Sequence, residues 1–258
     1  GKEAKAVAEY IYDAFYSPEA RKRLGIEKEA KVDIARLTEI QYRNVIADLL
    51  AGMDPQEAQA GPGEVGLKGY YFNSKGMNKK QGKSVDKVDP VLDFDFGEKG
   101  PVDGVQAEQF SIVWEGSFFV RDTGYYEFRT STPNGVRLYV NTALRADERN
   151  YRDDSSKASR QALIDDWVSS GPEVRQSSAR IFLLGGRNYP LRMDYFKYKE
   201  KIGKVRLDWK PPHGTWTVFG GDTVFPSIVP RTFVVSATFP ADDHSQGYGR
   251  GTLVSKAW

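Results

Sequence analysis

The chain has 258 residues, 40 % hydrophobic and 28 % charged, which is ordinary globular usage at a length that buries a core unaided. With no cysteine, the chain excludes disulfides, thiolate metal sites, a cysteine nucleophile and covalent haem attachment within itself. Its 37 basic and 35 acidic side chains are interspersed at net charge +2, which excludes the broad basic footprint of a nucleic-acid binder.

Aromatic residues (14 Tyr, 14 Phe, 5 Trp) together with 25 Gly and 13 Pro favour strands and turns over a helical bundle. No apolar run approaches the roughly 18 residues of a membrane-spanning helix. Gly1-Lys2-Glu3-Ala4 lacks the pattern of a signal peptide, and Ser255-Lys256-Ala257-Trp258 lacks a Gly or Pro stop. Both ends are expected to be cuts within a longer protein.

The first 52 residues read as a small helical unit. Ala4, Val7, Ala8, Ile11, Tyr12 and Phe15 recur at helical spacing. Ser17-Pro18 supplies an N-cap and a proline at the first helical position, opening a short helix to about Leu24. Thr38 with Gln41 three residues on has the form of a capping box, ahead of Tyr42, Val45, Ile46, Leu49 and Leu50 on one face. Gly52 is a natural stop. Residues 53–65, rich in Gly, Pro and Ala without periodicity, read as a linker.

From Gly66 the pattern changes to short strands. Gly69–Phe72, Gln109–Val120, Gly124–Thr130, Val136–Val140, Ala179–Leu184, Tyr189–Lys197 and Lys204–Trp209 are the predicted strands. Asn134-Gly135 has the form of a hairpin turn, and Gly185-Gly186 of another turn. Strands with frequent turn signals and no helices between them predict an antiparallel β-sandwich or barrel. Residues 141–163 are polar and charged, too long for a tight hairpin, and read as an elaborated surface loop of the kind that carries function.

Several of these segments, in order, resemble the protective-antigen-like family known from toxins, yeast adhesins and insertions in glycosidases. They are Gly66–Phe72, Phe110–Gly116 with Trp114, Gly124–Phe128, Asn134–Val140, Leu163–Trp167, Gly185–Phe196 and Val205–Trp209. The resemblance covers residues 66–230 and implies a mainly β antiparallel sandwich behind the small N-terminal α-helical unit. Residues 231–258 would then begin a following segment. Arg36–Leu50, Phe239–Asp243 and Gly247–Thr252 resemble flanks of large planctomycete-type proteins that also carry cytochrome-c-like domains. That likeness implies an exported parent protein, periplasmic, at the cell surface or extracellular.

In the adhesin branch of the family, two adjacent aspartates before the Gly-Val-Arg-Leu-type strand hold calcium, helped by an asparagine, because a hard cation needs converging oxygens. Here that position reads Thr132-Pro133-Asn134-Gly135, without the pair, and an Asn-Gly turn is the expectation. Asp153-Asp154, beside Asn150 and Tyr151, is the alternative pair for calcium or for sugar hydroxyls, against the plainer reading of a solvated loop. Asp165-Asp166 is expected in turn and backbone hydrogen bonds, and Asp242-Asp243 beside His244 reads as a surface turn.

Sugar recognition combines an aromatic face with planar polar groups. Trp114, Trp167 and Trp209 fall in strands or at their ends and read as core. Trp216 falls in the loop Pro211-Pro212-His213-Gly214-Thr215-Trp216 and reads as a stacking ring. The ligand-binding set is therefore Asn134, Tyr151, Asp153, Asp154 and Trp216. The two histidines, His213 and His244, sit in no metalloprotease helix, and neither a nucleophile elbow nor a phosphate loop occurs. The sequence thus reads as a non-catalytic polysaccharide-binding module of a larger protein, contacting glycan and the flanking domains of its parent. A structural or docking module for those domains is the alternative.

Overall fold

The structure, a computed structural model, describes residues 2–23, 37–53, 64–77, 85–142, 162–169 and 171–236. The chain forms two compact units, Gly1–Thr38 with Asp242–Trp258, and Glu39–Ala241. In the first unit α1 (Lys2–Ile11) runs into one wide π-helical turn, Tyr12–Tyr16, and α2 (Pro18–Arg23) follows. Ser17 starts α2 as its sequence position predicts: its Oγ accepts the Ala20 N–H at 3.1 Å. The apolar stripe of α1 is exposed at Val7, Ile11, Tyr12 and Phe15.

The second unit opens with α3 (Glu39–Met53) and continues, among the described residues, through 12 strands. These are β1 (Leu67–Phe72), β2 (Val85–Asp89), β3 (Asp93–Gly97), β4 (Gln109–Val120), β5 (Gly124–Thr132) and β6 (Gly135–Val140). Then come β7 (Ile164–Asp166), β8 (Arg175–Leu183), β9 (Arg187–Tyr198), β10 (Gly203–Lys210), β11 (Thr217–Val218) and β12 (Val224–Phe225). A seven-stranded sheet has the order β2-β1-β4-β9-β6-β7, with β12 also on β4; a five-stranded sheet has the order β11-β10-β5-β8, with β3 also on β10. All pairings are antiparallel. The fold is the mainly β antiparallel sandwich that the strand pattern predicts.

Alternation along each strand fills the space between the sheets. β4 contributes Phe110, Ile112, Trp114, Phe118 and Val120; β9 contributes Tyr189, Leu191, Met193 and Tyr195; β5 and β10 answer with Tyr126, Phe128, Val205 and Leu207. Trp114 stacks on Phe94 at 5.3 Å, and Phe118 meets Phe128 and Trp209 edge-on, each at 5.9 Å. Each such ring contributes about 1.5–3 kcal/mol by leaving water. A polar pin sits in this core: the Asp89 carboxylate accepts the Tyr71 hydroxyl at 2.5 Å and the Trp114 indole N–H at 2.7 Å. Burial, then the Asp89 partner, pushes the Tyr71 hydroxyl well above its usual pKa.

Gly116 interrupts the inward series of β4 for a steric reason. A Cβ there would lie 2.2 Å from the Phe225 carbonyl, so the glycine lets β12 pair with β4.

The Asn134-Gly135 turn differs from the predicted hairpin. β5 and β6 lie in different sheets, so these residues form a corner that carries the chain across the sandwich. Neither residue has a positive φ, as a type I′ turn would require. Gly135 is needed because a Cβ would sit 2.0 Å from the Phe196 ring. The Gly185-Gly186 turn is a second corner of this kind, between β8 and β9, with Gly186 at φ +77°.

α3 faces the sandwich through Arg43 and Ala47 rather than through Val45 and Leu49, which are exposed. The Arg43 guanidinium covers the Phe182 ring at 5.2 Å and donates to Glu39 and to the Val235 carbonyl. From β9, Arg187 reaches Asp48 at 2.7 Å. Past β12, the Thr232 backbone exchanges two hydrogen bonds with the Asn141 amide, both 2.7 Å.

Candidate functional site

The outer face of the five-stranded sheet carries the side chains left over once the inward series is assigned. On β10 these are Lys204, Arg206, Asp208 and Lys210; on β5, Tyr125, Glu127 and Arg129; on β3, Asp93 and Asp95. Antiparallel register sets opposite charges across from one another: Arg206 faces Asp93, Asp208 faces Arg129, and Lys210 faces Glu127. The resulting contacts are Arg206–Asp93 at 2.9 Å, Arg206–Asp208 at 2.9 Å, Arg129–Asp208 at 3.1 Å and Lys210–Glu127 at 2.8 Å. Asp208 is the anchor of this ladder, 3 % exposed between two guanidinium groups. Its hydrogen bond, together with the charge of Asp93, raises the Arg206 pKa further.

Two aromatic rings frame the ladder. Trp216, in the loop ahead of β11, is half-buried with the Arg129 guanidinium 4.4 Å over its ring. The Arg129 Nε is buried there without a hydrogen-bond partner. Tyr125, 49 % exposed, lies under Arg180 at 4.8 Å and meets Phe182 edge-on at 5.3 Å. The face therefore presents flat rings beside forked donors and carboxylates. The outer pairs, Arg206–Asp93 and Lys210–Glu127, are partly exposed on both sides and contribute only about 0–1 kcal/mol each, so a ligand's hydroxyl groups can exchange for them at small cost, whereas the buried Asp208 stays in place.

Of the residues predicted from sequence, Trp216 is on this face. Asn134 is not at an exposed rim: it is 0 % exposed and its side chain is committed inward. Its Oδ1 accepts the Tyr195 hydroxyl at 2.7 Å and the Lys204 N–H at 3.1 Å, while its Nδ2 donates to the Ile202 carbonyl at 3.1 Å. That is the work of a corner residue, and it leaves no free side-chain oxygen for a ligand. Asn134 and Trp216 have different partners and are not brought together. Tyr151, Asp153, Asp154, Asp242, Asp243 and His244 lie outside the described residues.

Asp165 takes Arg137 at 2.8 Å and Asp166 takes Arg175 at 3.3 Å. Trp114 is in the core, and Trp209 packs against it. Trp167 lies on the outer side of the seven-stranded sheet, 4.5 Å from Phe196 and beneath Arg137 at 4.8 Å.

A second polar group went unanticipated. On the outer side of the seven-stranded sheet Glu115, Arg192 and Asp194 are each 5 % exposed, with Arg192 gripping Asp194 through contacts of 2.6 and 2.8 Å. Burial raises the Glu115 pKa; the Tyr70 hydroxyl and Arg192 oppose that rise. Beside it Tyr139 is pushed up to about 12 by burial. Charged residues at outward positions of long apolar strands, as in Val113-Trp114-Glu115-Gly116 and Leu191-Arg192-Met193-Asp194, were the available signal.

Among the described residues, no cluster of three or more His, Asp or Glu side chains is arranged to hold a metal ion. The corner at 132–135 does not fit calcium, because the Asn134 amide is spent inward and no carboxylate stands in that loop.

Comparison with known proteins fits this architecture. The chain is 27 % identical over 165 residues to the anti-sigma-I factor RsgI3 of Acetivibrio thermocellus, covering 64 % of this chain and 22 % of that protein. It resembles the solved structure of an anti-sigma factor domain-containing protein with TM-score 0.52 and 26 % identity, over 65 % of this chain and 50 % of that one. A second, from Clostridium clariflavum, shares the fold at TM-score 0.51 and 22 % identity, over 69 % of this chain and 52 % of that one. The chain thus spans about a fifth of the curated relative and half of the solved ones. The PA14 domain family matches residues 63–219, from just before β1 to the end of β11, and the chain belongs to that family.

Proposed function

We propose that this chain is a glycan-recognition module of a larger exported protein and that it binds polysaccharide on the outer face of the five-stranded sheet. The observation that carries the reading is the Trp216–Arg129 stack, set on the same sheet as the exposed Tyr125–Arg180 pair. Sugar rings offer a flat C–H face to an aromatic ring and hydroxyls to forked donors and carboxylates; this surface supplies both. Tyr151, Asp153 and Asp154, which lie outside the described residues, are proposed as further ligand contacts on their sequence alone. The module is read as non-catalytic, the chemistry or signalling of the parent protein residing elsewhere.

Affinity gel electrophoresis against plant and algal polysaccharides tests the proposal. Retardation by at least one of them, with a dissociation constant of roughly a micromolar to a millimolar, is the expected outcome. Free migration in every gel refutes it.

A docking role for the helical unit has its own support, since Val7, Ile11, Tyr12 and Phe15 on α1 and its extension are exposed. Pull-down with the flanking parts of the parent protein, comparing the whole chain with a Val7→Ser/Phe15→Ser variant, separates this reading from glycan binding.

A further inference from the structure

Five oxygen atoms from two stretches of chain converge on the guanidinium of Arg175: Pro133 O at 3.1 Å, Asn134 O at 3.2 Å, Val168 O at 2.5 Å, and Asp166 Oδ2 and Oδ1 at 3.3 and 3.4 Å. Backbone carbonyls and a carboxylate gathered around one charged group are the ligand types that a hard cation takes, since their negative ends repel unless positive charge lies between them. The oxygens belong to elements that must be held together. Pro133 and Asn134 make the corner between the two sheets, Asp166 ends β7, and Val168 lies two residues beyond. Arg175 comes from the first position of β8, opposite Thr132 of β5.

The calcium that the adhesin resemblance implies for this corner does not fit it. The loop has no carboxylate, the Asn134 amide is used by Tyr195, Lys204 and Ile202, and the outward carbonyls of Pro133 and Asn134 already receive Arg175. We infer that Arg175 is the resident cation of this corner, a covalently attached replacement for a metal ion, and that this end of the sandwich keeps its shape without calcium. Arginine suits the task because its planar fork reaches several acceptors at once and stays charged at every physiological pH, whereas an ammonium is a point charge with fewer donors. This inference does not depend on glycan binding.

The test uses the whole chain carrying Asp153→Asn and Asp154→Asn, which removes the other carboxylate pair considered for calcium. Its melting temperature is expected to stay the same in EDTA and in millimolar calcium. A rise of several degrees with calcium, reversed by EDTA, overturns the inference. In the same background Arg175→Ala is expected to lower the melting temperature by roughly 2–5 °C, because it leaves part-buried carbonyls and a carboxylate without a counter-charge and water offsets only some of the loss. Arg175→Lys is expected to recover only part of that loss. An Arg175→Ala protein that melts with its parent overturns the inference; should that variant fail to fold, the calcium and EDTA comparison on the folded parent decides alone.

Discussion

Replacing Asn134 by alanine separates a corner residue from a ligand-binding one. The substitution removes the acceptor for the Tyr195 hydroxyl and the Lys204 N–H and the donor to the Ile202 carbonyl. Tyr195 is 0 % exposed, so no water replaces what its hydroxyl loses. An orphaned buried polar group costs about 1–3 kcal/mol, and three that share one partner add less than fully, giving roughly 3–5 kcal/mol in total. For a unit of this size that is a fall of about 10 °C in melting temperature. Asn134→Asp is the sharper control: it keeps the acceptor but turns a second oxygen toward the Ile202 carbonyl, and it buries a charge. Protonation restores a donor, so the Asp variant is expected to recover toward wild type as the pH falls to about 4. Urea unfolding followed by tryptophan fluorescence at neutral and acid pH measures both variants. A stability within about 0.5 kcal/mol of wild type for Asn134→Ala at neutral pH refutes the buried-network account. So does wild-type stability combined with lost glycan binding.

Two further expectations concern the scaffold. Gly116→Ala forces a Cβ toward the Phe225 carbonyl, so β12 should leave β4; hydrogen exchange is expected to quicken at the Phe119 and Val224 amides, while β9 keeps its protection. Glu115 has a pKa raised in the fold chiefly by burial, so its contribution to stability is fully present below its unfolded value and is lost as pH rises through the folded one. Glu115→Gln should therefore compare more favourably with wild type at neutral pH than at about pH 4; the same difference at both pH values, read by urea unfolding, counts against a desolvated carboxyl.

The long strands were legible because their inward positions alternate over enough residues to leave no other reading. Phe110, Ile112, Trp114, Phe118 and Val120 on β4, and Tyr189 to Tyr195 on β9, are such series. β2 (Val-Asp-Lys-Val-Asp) and β3 (Asp-Phe-Asp-Phe-Gly) were missed because they are short and acidic, and only their partners, β1 and β10, make them strands. β7, β11 and β12, each of 2 or 3 residues, have no periodicity to read.

The corner at Asn134 was misread for a related reason. Asn-Gly is the local signal of a hairpin, and only the distant Tyr195, Ile202 and Lys204 turn it into a buried plug. Trp216 was identified as a loop tryptophan, but its pairing with Arg129 depends on β5 and β10 lying side by side, which spacing along the chain does not encode. The convergence of Arg175 on two loops and a strand end is equally non-local.

The claim that glycan binds across the outer face of the five-stranded sheet is tested most directly by the indole N–H resonances of the 5 tryptophans. An oligosaccharide derived from a retained polysaccharide, titrated into isotope-labelled protein, should shift the Trp216 signal progressively and leave the core Trp114 signal in place. Trp216→Ala should then weaken binding by roughly 10-fold, the loss of about 1.4 kcal/mol from one stacking contact, while the lost Arg129 stack lowers the melting temperature by only about 2–4 °C and leaves the protein folded. Saturation of binding with the Trp216 resonance unmoved would contradict the assignment of this face.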